Sequence, residues 1–170
     1  MTPYFEKIRG HLRVISLAVF TSVISATSYA QSPLFAPLFE VLSHPRCMNC
    51  HTKTDFPRQG DERRRHDQLV VRGEDNHGAP TLQCSACHQD ENVADGEVPG
   101  APHWGLAPLS MAWEDLSAGQ LCTVLKDTTK NGNRSLEDLF HHMTEDALVL
   151  WACKMITRGR CAYGSVPGRP

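Results

Sequence analysis

Apolar residues along this chain come in a few short periodic clusters, separated by long polar stretches rich in glycine and proline. The first cluster, "VISLAVFTSVI", is an apolar run of 11 residues. Lys7, Arg9 and Arg13 precede it, and "SATSYAQS" follows, with the small residues Ser28 and Ala30 two apart. A basic start, a short apolar run and small residues at a cut site form the pattern of an export signal. The run is short for a bilayer span, which takes about 20 residues. The expectation is a signal peptide over 1–30, cut after Ala30, that leaves no membrane span in the mature chain. An N-terminal anchor helix is the alternative.

Residues 33–43, "PLFAPLFEVLS", carry Leu38, Val41 and Leu42 at helical spacing. They predict a short helix that Pro37 can start, or an extended lead-in. Residues 52–80 and 91–110 are polar and punctuated by Gly and Pro, so they read as mainly loop. In "SAGQLCTVLKD", Ser117 with Gln120 three residues on forms a capping box, and Leu121, Val124 and Leu125 make the apolar stripe. "NGN" at 131–133 is a turn. Ser135 then caps a second helix with Leu136, Leu139, Phe140 and Met143 on one face. Glu114–Asp115 and Glu137–Asp138 read as acids in first helical turns, where the helix dipole favours them. "ALVLW" is a third apolar segment ending at Trp151, and the tail over about 157–170 reads as irregular. Strand signals are few. The pattern predicts one domain over 31–170, mostly α with long loops.

Composition sharpens this. Of 170 residues, 7% are aromatic, while Gly and Pro number 12 and 11, so the core is thinly supplied. A small domain of this kind gains from a large apolar group built into its centre. Removing residues 1–30 takes away Lys7, Arg9, Arg13 and Glu6, which moves the formal net charge from −2 to −4. That argues against nucleic acid, whose binding rests on neutralising phosphates. The one basic run, "RRRH" at 63–66, sits beside Asp61, Glu62 and Asp67 and reads as a solvated loop.

The chemistry lies in "CMNCH" at 47–51 and its repeat "CSACH" at 84–88. Cys-x-x-Cys-His is a c-type haem attachment signature. Two sulfurs on one helical turn form thioethers with the two vinyl groups, and the next residue supplies a nitrogen to the iron. Two copies in an exported chain point to two haem c groups, attached in the periplasm. Cys47 and Cys50 hold one and Cys84 and Cys87 the other, with His51 and His88 as proximal ligands. Two weaker readings use the same residues. Four thiolates could bind zinc, but 33 residues separate the pairs, longer than ribbon spacing. A redox dithiol would want a βαβ setting, which is missing.

Candidates for the opposite face of each iron are His44, His66, His77, His103, His141, His142, Met48, Met111, Met143 and Met155. Met111, in the Pro-containing loop "LAPLSMAW", is placed first, because such a loop can lay a thioether over a haem. His66, between the motifs, comes next, then His142 and His44. Met48 lies inside the attachment loop, Met143 reads as core and His77 as a surface turn. Methionine opposite histidine gives a higher potential than histidine. Of the remaining cysteines, Cys153 and Cys161 close a short loop and are the expected disulfide, with Cys122 left over.

Together, "HPRCMNCH", "VRGEDNHG", "CSACH", "GAPHWGLAPLSMAWEDLS", "LCTVLKD" and "NGNRSLEDLFHHM" resemble a family of small periplasmic dihaem c-type cytochromes labelled as a subunit of isoquinoline 1-oxidoreductase. The resemblance covers about residues 38–151, and the chain departs from it at "WACKMITRGRC". It implies a cytochrome c-like domain packed around two covalently bound haems. It also implies a carrier that takes electrons from a molybdenum hydroxylase and passes them to a respiratory acceptor. A weaker resemblance is to the small dihaem subunit of periplasmic nitrate reductases, which implies His44 and His66 as distal ligands and two bis-histidine haems. The expected role is electron transfer rather than catalysis, with docking through acidic charge on redox partner proteins. A dihaem peroxidase and a haem-based sensor are the rival readings.

Overall fold

The computed structural model describes residues 34–93 and 98–157, all within the unit 31–170. The expected signal peptide, its cleavage point and most of the expected tail lie outside the described residues. Two short helices open the described chain. α1 (Ala36–Leu42) has proline in its first turn, where the missing N–H removes no intrahelical bond. α2 (Pro45–Met48) starts on a proline after His44, whose ring nitrogen accepts from the Arg46 amide. This helix runs directly into the first motif.

Two minimal antiparallel hairpins follow: β1 (Arg58–Gln59) with β2 (Arg64–Arg65), and β3 (Gly78–Ala79) with β4 (Leu82–Gln83). The sequence shows only loop here. Each strand has two residues, too few for an alternating pattern, so turn geometry sets the pairing. Gly78 has φ +98°, and a Cβ there would lie 2.5 Å from the Leu82 carbonyl oxygen.

α3 (Ala118–Lys126) begins at the expected Ser117–Gln120 capping box. α4 (Leu136–Glu145) begins at Ser135, and Asp138 completes a second box. The Asn131 side chain joins the two helices. It donates to the Leu125 and Arg134 carbonyls and accepts from the Arg134 amide. α5 (Ala147–Thr157) begins where Asp146 accepts from the Leu148 and Val149 amides, and it continues past Trp151, where the apolar segment was expected to end.

The core is Leu42, Met48, Met111, Trp113 and Leu121, with Phe39, Leu116, Val124, Leu125 and Met143 packed against it. It gathers beside the first motif. Two expectations differ. Leu136 and Phe140, placed on the buried face of α4, are 67% and 56% exposed. Glu114 and Asp115 sit in the turn before α3 rather than in its first turn. Among the described residues no helix is long and apolar enough to cross a membrane.

Candidate functional site

Both motifs fold into the same turn. The Cys47 carbonyl accepts from Cys50 N at 3.2 Å and His51 N at 3.0 Å. The Cys84 carbonyl accepts from Cys87 N at 3.2 Å and His88 N at 2.9 Å. One helical turn puts residues i, i+3 and i+4 on one side. Each turn therefore presents two thiols and an imidazole together. The first turn continues α2; the second forms a short 3₁₀ turn, Cys84–Ala86.

The two imidazoles are also held alike. His51 Nδ1 lies 2.8 Å from the Met111 carbonyl oxygen, and its ring stacks on Trp113 at 3.4 Å and 13°. His88 Nδ1 lies 2.7 Å from the Pro99 carbonyl oxygen, and its ring stacks on Trp104 at 4.2 Å and 3°. A carbonyl only accepts, so Nδ1 carries the proton in both rings and the lone pair is on Nε2. This is how metal-ligating histidines are commonly oriented. Burial lowers both pKa values, that of His51 to about 4, so both rings are neutral near pH 7. One segment of 15 residues, 99–113, supplies both carbonyls and both tryptophans.

Second imidazoles lie near both. The rings of His66 and His88 are 6.0 Å apart at 74°. His66 Nδ1 is buried without a hydrogen-bond partner, and burial and then His88 lower its pKa. His142 is close enough to His51 to lower its pKa through space. Its own Nδ1 lies 3.4 Å from Asp146 Oδ2, which leaves Nε2 available, and burial lowers its pKa. The adjacent His141 turns outward to Glu145 at 2.8 Å, which raises its pKa. Helical rotation thus separates the two members of "HH".

The other candidates are placed as follows. Met111 is buried in the core, and its carbonyl lies on the Nδ1 side of His51, away from the nitrogen that would bind a metal. His44 caps α2. Met48 and Met143 belong to the core. His77 is exposed in a turn, its Nδ1 2.8 Å from the Asp75 carbonyl, and His103 is exposed. Nothing is described of the Met155 side chain.

Burial pushes Cys47 up to about 11, and burial together with Cys47 and Cys84 pushes Cys50 up to about 12. A reactive dithiol needs a lowered pKa. The four motif thiols do not converge: among the described residues no three His, Cys, Asp or Glu side chains form a metal-holding group. A tetrahedral zinc site needs such a group. An axially ligated haem iron does not, because the macrocycle supplies its four equatorial nitrogens. Cys122 is a half-buried free thiol. Cys153 is disulfide-bonded, and its expected partner Cys161 lies outside the described residues.

Sequence reasoning missed three members of the site. Trp104 and Trp113 had no motif to mark them. Arg72, 6% exposed, was hidden in a polar loop. Searches of family models, curated proteins and solved structures find no match to this chain.

Proposed function

We propose that this protein is a periplasmic electron carrier with two covalently attached haem c groups. Cys47 and Cys50 hold one through thioethers, with His51 as proximal ligand; Cys84, Cys87 and His88 hold the other. His142 and His66 are the distal ligands, so both irons are bis-histidine. The observation that carries this is the repeated unit at each motif: the Cys-x-x-Cys-His turn, an Nδ1–carbonyl bond and a stacked tryptophan.

The His66–His88 pair supports the fit. Two metal–nitrogen bonds of about 2 Å and two ring radii of about 1 Å put opposed imidazoles about 6 Å apart. The rings lie 6.0 Å apart. When bound, each haem supplies a one-electron iron couple. The chain's own part is to hold the four imidazoles neutral and oriented and to keep both sites close, for Cys84 acts through space on Cys50. The bis-histidine set agrees in type with the nitrate-reductase resemblance, with His142 in the place expected for His44. The resemblance to the isoquinoline oxidoreductase subunits supplies the class of donor, a molybdenum hydroxylase.

The test is the protein expressed with haem-attachment machinery and purified. Expected are two haems per chain, sharp c-type bands, no long-wavelength thioether-to-iron band, and no carbon monoxide binding to the reduced form. A methionine band would return Met111 to one iron. Carbon monoxide binding would favour the peroxidase or sensor reading. No haem, with bound zinc, would overturn the proposal.

A further inference from the structure

Arg72 is a buried cation with no carboxylate among its hydrogen-bond partners. Its guanidinium makes five bonds: Nε and Nη2 donate to the Thr54 carbonyl, Nη2 to the Thr52 carbonyl, and Nη1 to the Ala107 carbonyl and to Asn76 Oδ1. Thr52 and Thr54 directly follow the first motif. The Ala107 amide donates to the Cys50 carbonyl, so Arg72 is one residue removed from the attachment turn on two sides. All four acceptors are neutral, and Asp55 acts on the charge only through space. A guanidinium stays charged at any ordinary pH. A charge away from water and from a counter-ion acts strongly on its neighbours.

The two sites differ in this respect. Arg72 acts through space on both Cys50 and His51. None of its five guanidinium bonds runs to a residue that adjoins Cys84, Cys87 or His88.

We infer that Arg72 is the residue that sets the first site, at His51, to a higher reduction potential than the second, at His88. This rests on the proposed haem attachment. A fixed positive charge disfavours the ferric state, which carries one more positive charge than the ferrous state. The second site then passes one electron to the first. The second iron is oxidised and the first reduced, with no bond broken and no proton moved. The electron enters from a one-electron donor protein, and the first site gives it up to the acceptor.

The experiment is a redox titration of the intact dihaem protein, followed by visible absorption and by NMR. Haem resonances with contacts to Trp113 identify the first site, and those with contacts to Trp104 the second. In the wild type the higher couple should belong to the Trp113 site. Arg72→Gln should raise the Fe(III)/Fe(II) ratio of that couple at least tenfold at fixed potential, a fall of about 59 mV, and leave the other in place. Arg72→Lys, which keeps the charge but loses the fork, should hold most of the gap. The inference is overturned if the higher couple belongs to the Trp104 site, or if Arg72→Gln moves both couples equally or neither. It is also overturned if Arg72→Lys loses the gap as fully as Arg72→Gln, which would make the role one of packing alone. If Arg72→Gln does not fold, the wild-type assignment and the lysine variant decide. A wild-type protein without two haems would instead sink the proposed function on which this depends.

Discussion

Glu114 gives the sharpest test of how the first site is braced. Its side chain is 7% exposed. Oε2 accepts from the Lys53 amide at 2.6 Å and from Thr52 Oγ1 at 3.1 Å. Oε1 pairs with Arg63 and lies 3.4 Å from Arg58 Nε. One carboxylate thus ties the chain just after His51 to the β1–β2 hairpin, and lies next to Trp113, on which His51 stacks. Glu114→Gln leaves an amide group facing donors and removes the charge that compensates two arginines. Breaking a buried pair by removing one partner costs about 3–5 kcal/mol. Here the arginines are 28% and 27% exposed and regain water, so about 2 kcal/mol is expected. At roughly 4 °C per kcal/mol for a domain of this size, the melting temperature should fall by about 8 °C at pH 7. Burial alone would raise the Glu114 pKa, but the Lys53 amide, Arg63 and Thr52 outweigh it and hold the value below the ordinary one. A lowered folded-state pKa gives stability that is present above the unfolded value and lost as pH falls through the folded one. The gap between wild type and variant should therefore be full at pH 7 and shrink below about pH 4. Melts followed by circular dichroism across that range measure it. A variant within about 1 °C of wild type at pH 7, or a gap that persists unchanged in acid, would refute the reasoning.

Four further outcomes follow from other parts of the molecule. Asn131→Ala strips partners from two carbonyls and one amide at a residue 1% exposed, so it should destabilise by about 3 kcal/mol in chemical denaturation; a loss under 1 kcal/mol would rule out the helix-joining role. His142→Met should bring in a thioether-to-iron band and raise one of the two potentials, and an unchanged spectrum would remove His142 from the iron. His66→Ala should open one site, so that half the haem of the reduced protein binds carbon monoxide; binding at neither or at both would count against the pairing with His88. Electron transfer to redox partners should slow as salt rises, since the expected mature net charge of −4 suits a basic partner patch. A rate independent of ionic strength would discard that mode of docking.

How much of this could be read from the residues differs from part to part. The two Cys-x-x-Cys-His turns were legible because the spacing of two cysteines and a histidine marks the motif itself. α3 and α4 were legible because Ser117 and Ser135 mark their starts. Which imidazoles come near His51 and His88 was not. That His141 turns to Glu145 while His142 comes near His51 follows from the helix rotation, and that the Met111 carbonyl faces His51 Nδ1 follows from the tertiary fold. Leu136 and Phe140 follow the apolar period of α4 yet stay exposed, because periodicity reports a face without saying whether protein covers it. "RRRH" reads as solvated charge, and Arg64 and Arg65 are exposed. Arg63, at φ 53°, instead turns back to Glu114, and His66 turns toward His88. Neighbours in one polar run thus have different duties, which only tertiary contacts assign.

The segment 99–113 explains why two sites separated by 33 residues end up as one unit. Each motif builds its own turn, but neither supplies what orients its histidine. Pro99 and Trp104 come from the front of the segment and serve His88; Met111 and Trp113 come from its end and serve His51. Between them the segment is pinned three times. Leu106 N donates to the Asn76 carbonyl, Ala107 N donates to the Cys50 carbonyl, and the Ala107 carbonyl accepts from Arg72. Gly105 is needed there, since a Cβ would lie 2.8 Å from the His77 ring. A single strap of this kind fixes the two imidazoles relative to each other as well as to their own turns. That is the arrangement the proposed electron path would require, because transfer between two sites depends on their separation and orientation staying constant. It also places Arg72 near the middle of the strap, where four of its five bonds run to Thr52, Thr54 and Ala107 beside the first motif and the fifth to Asn76.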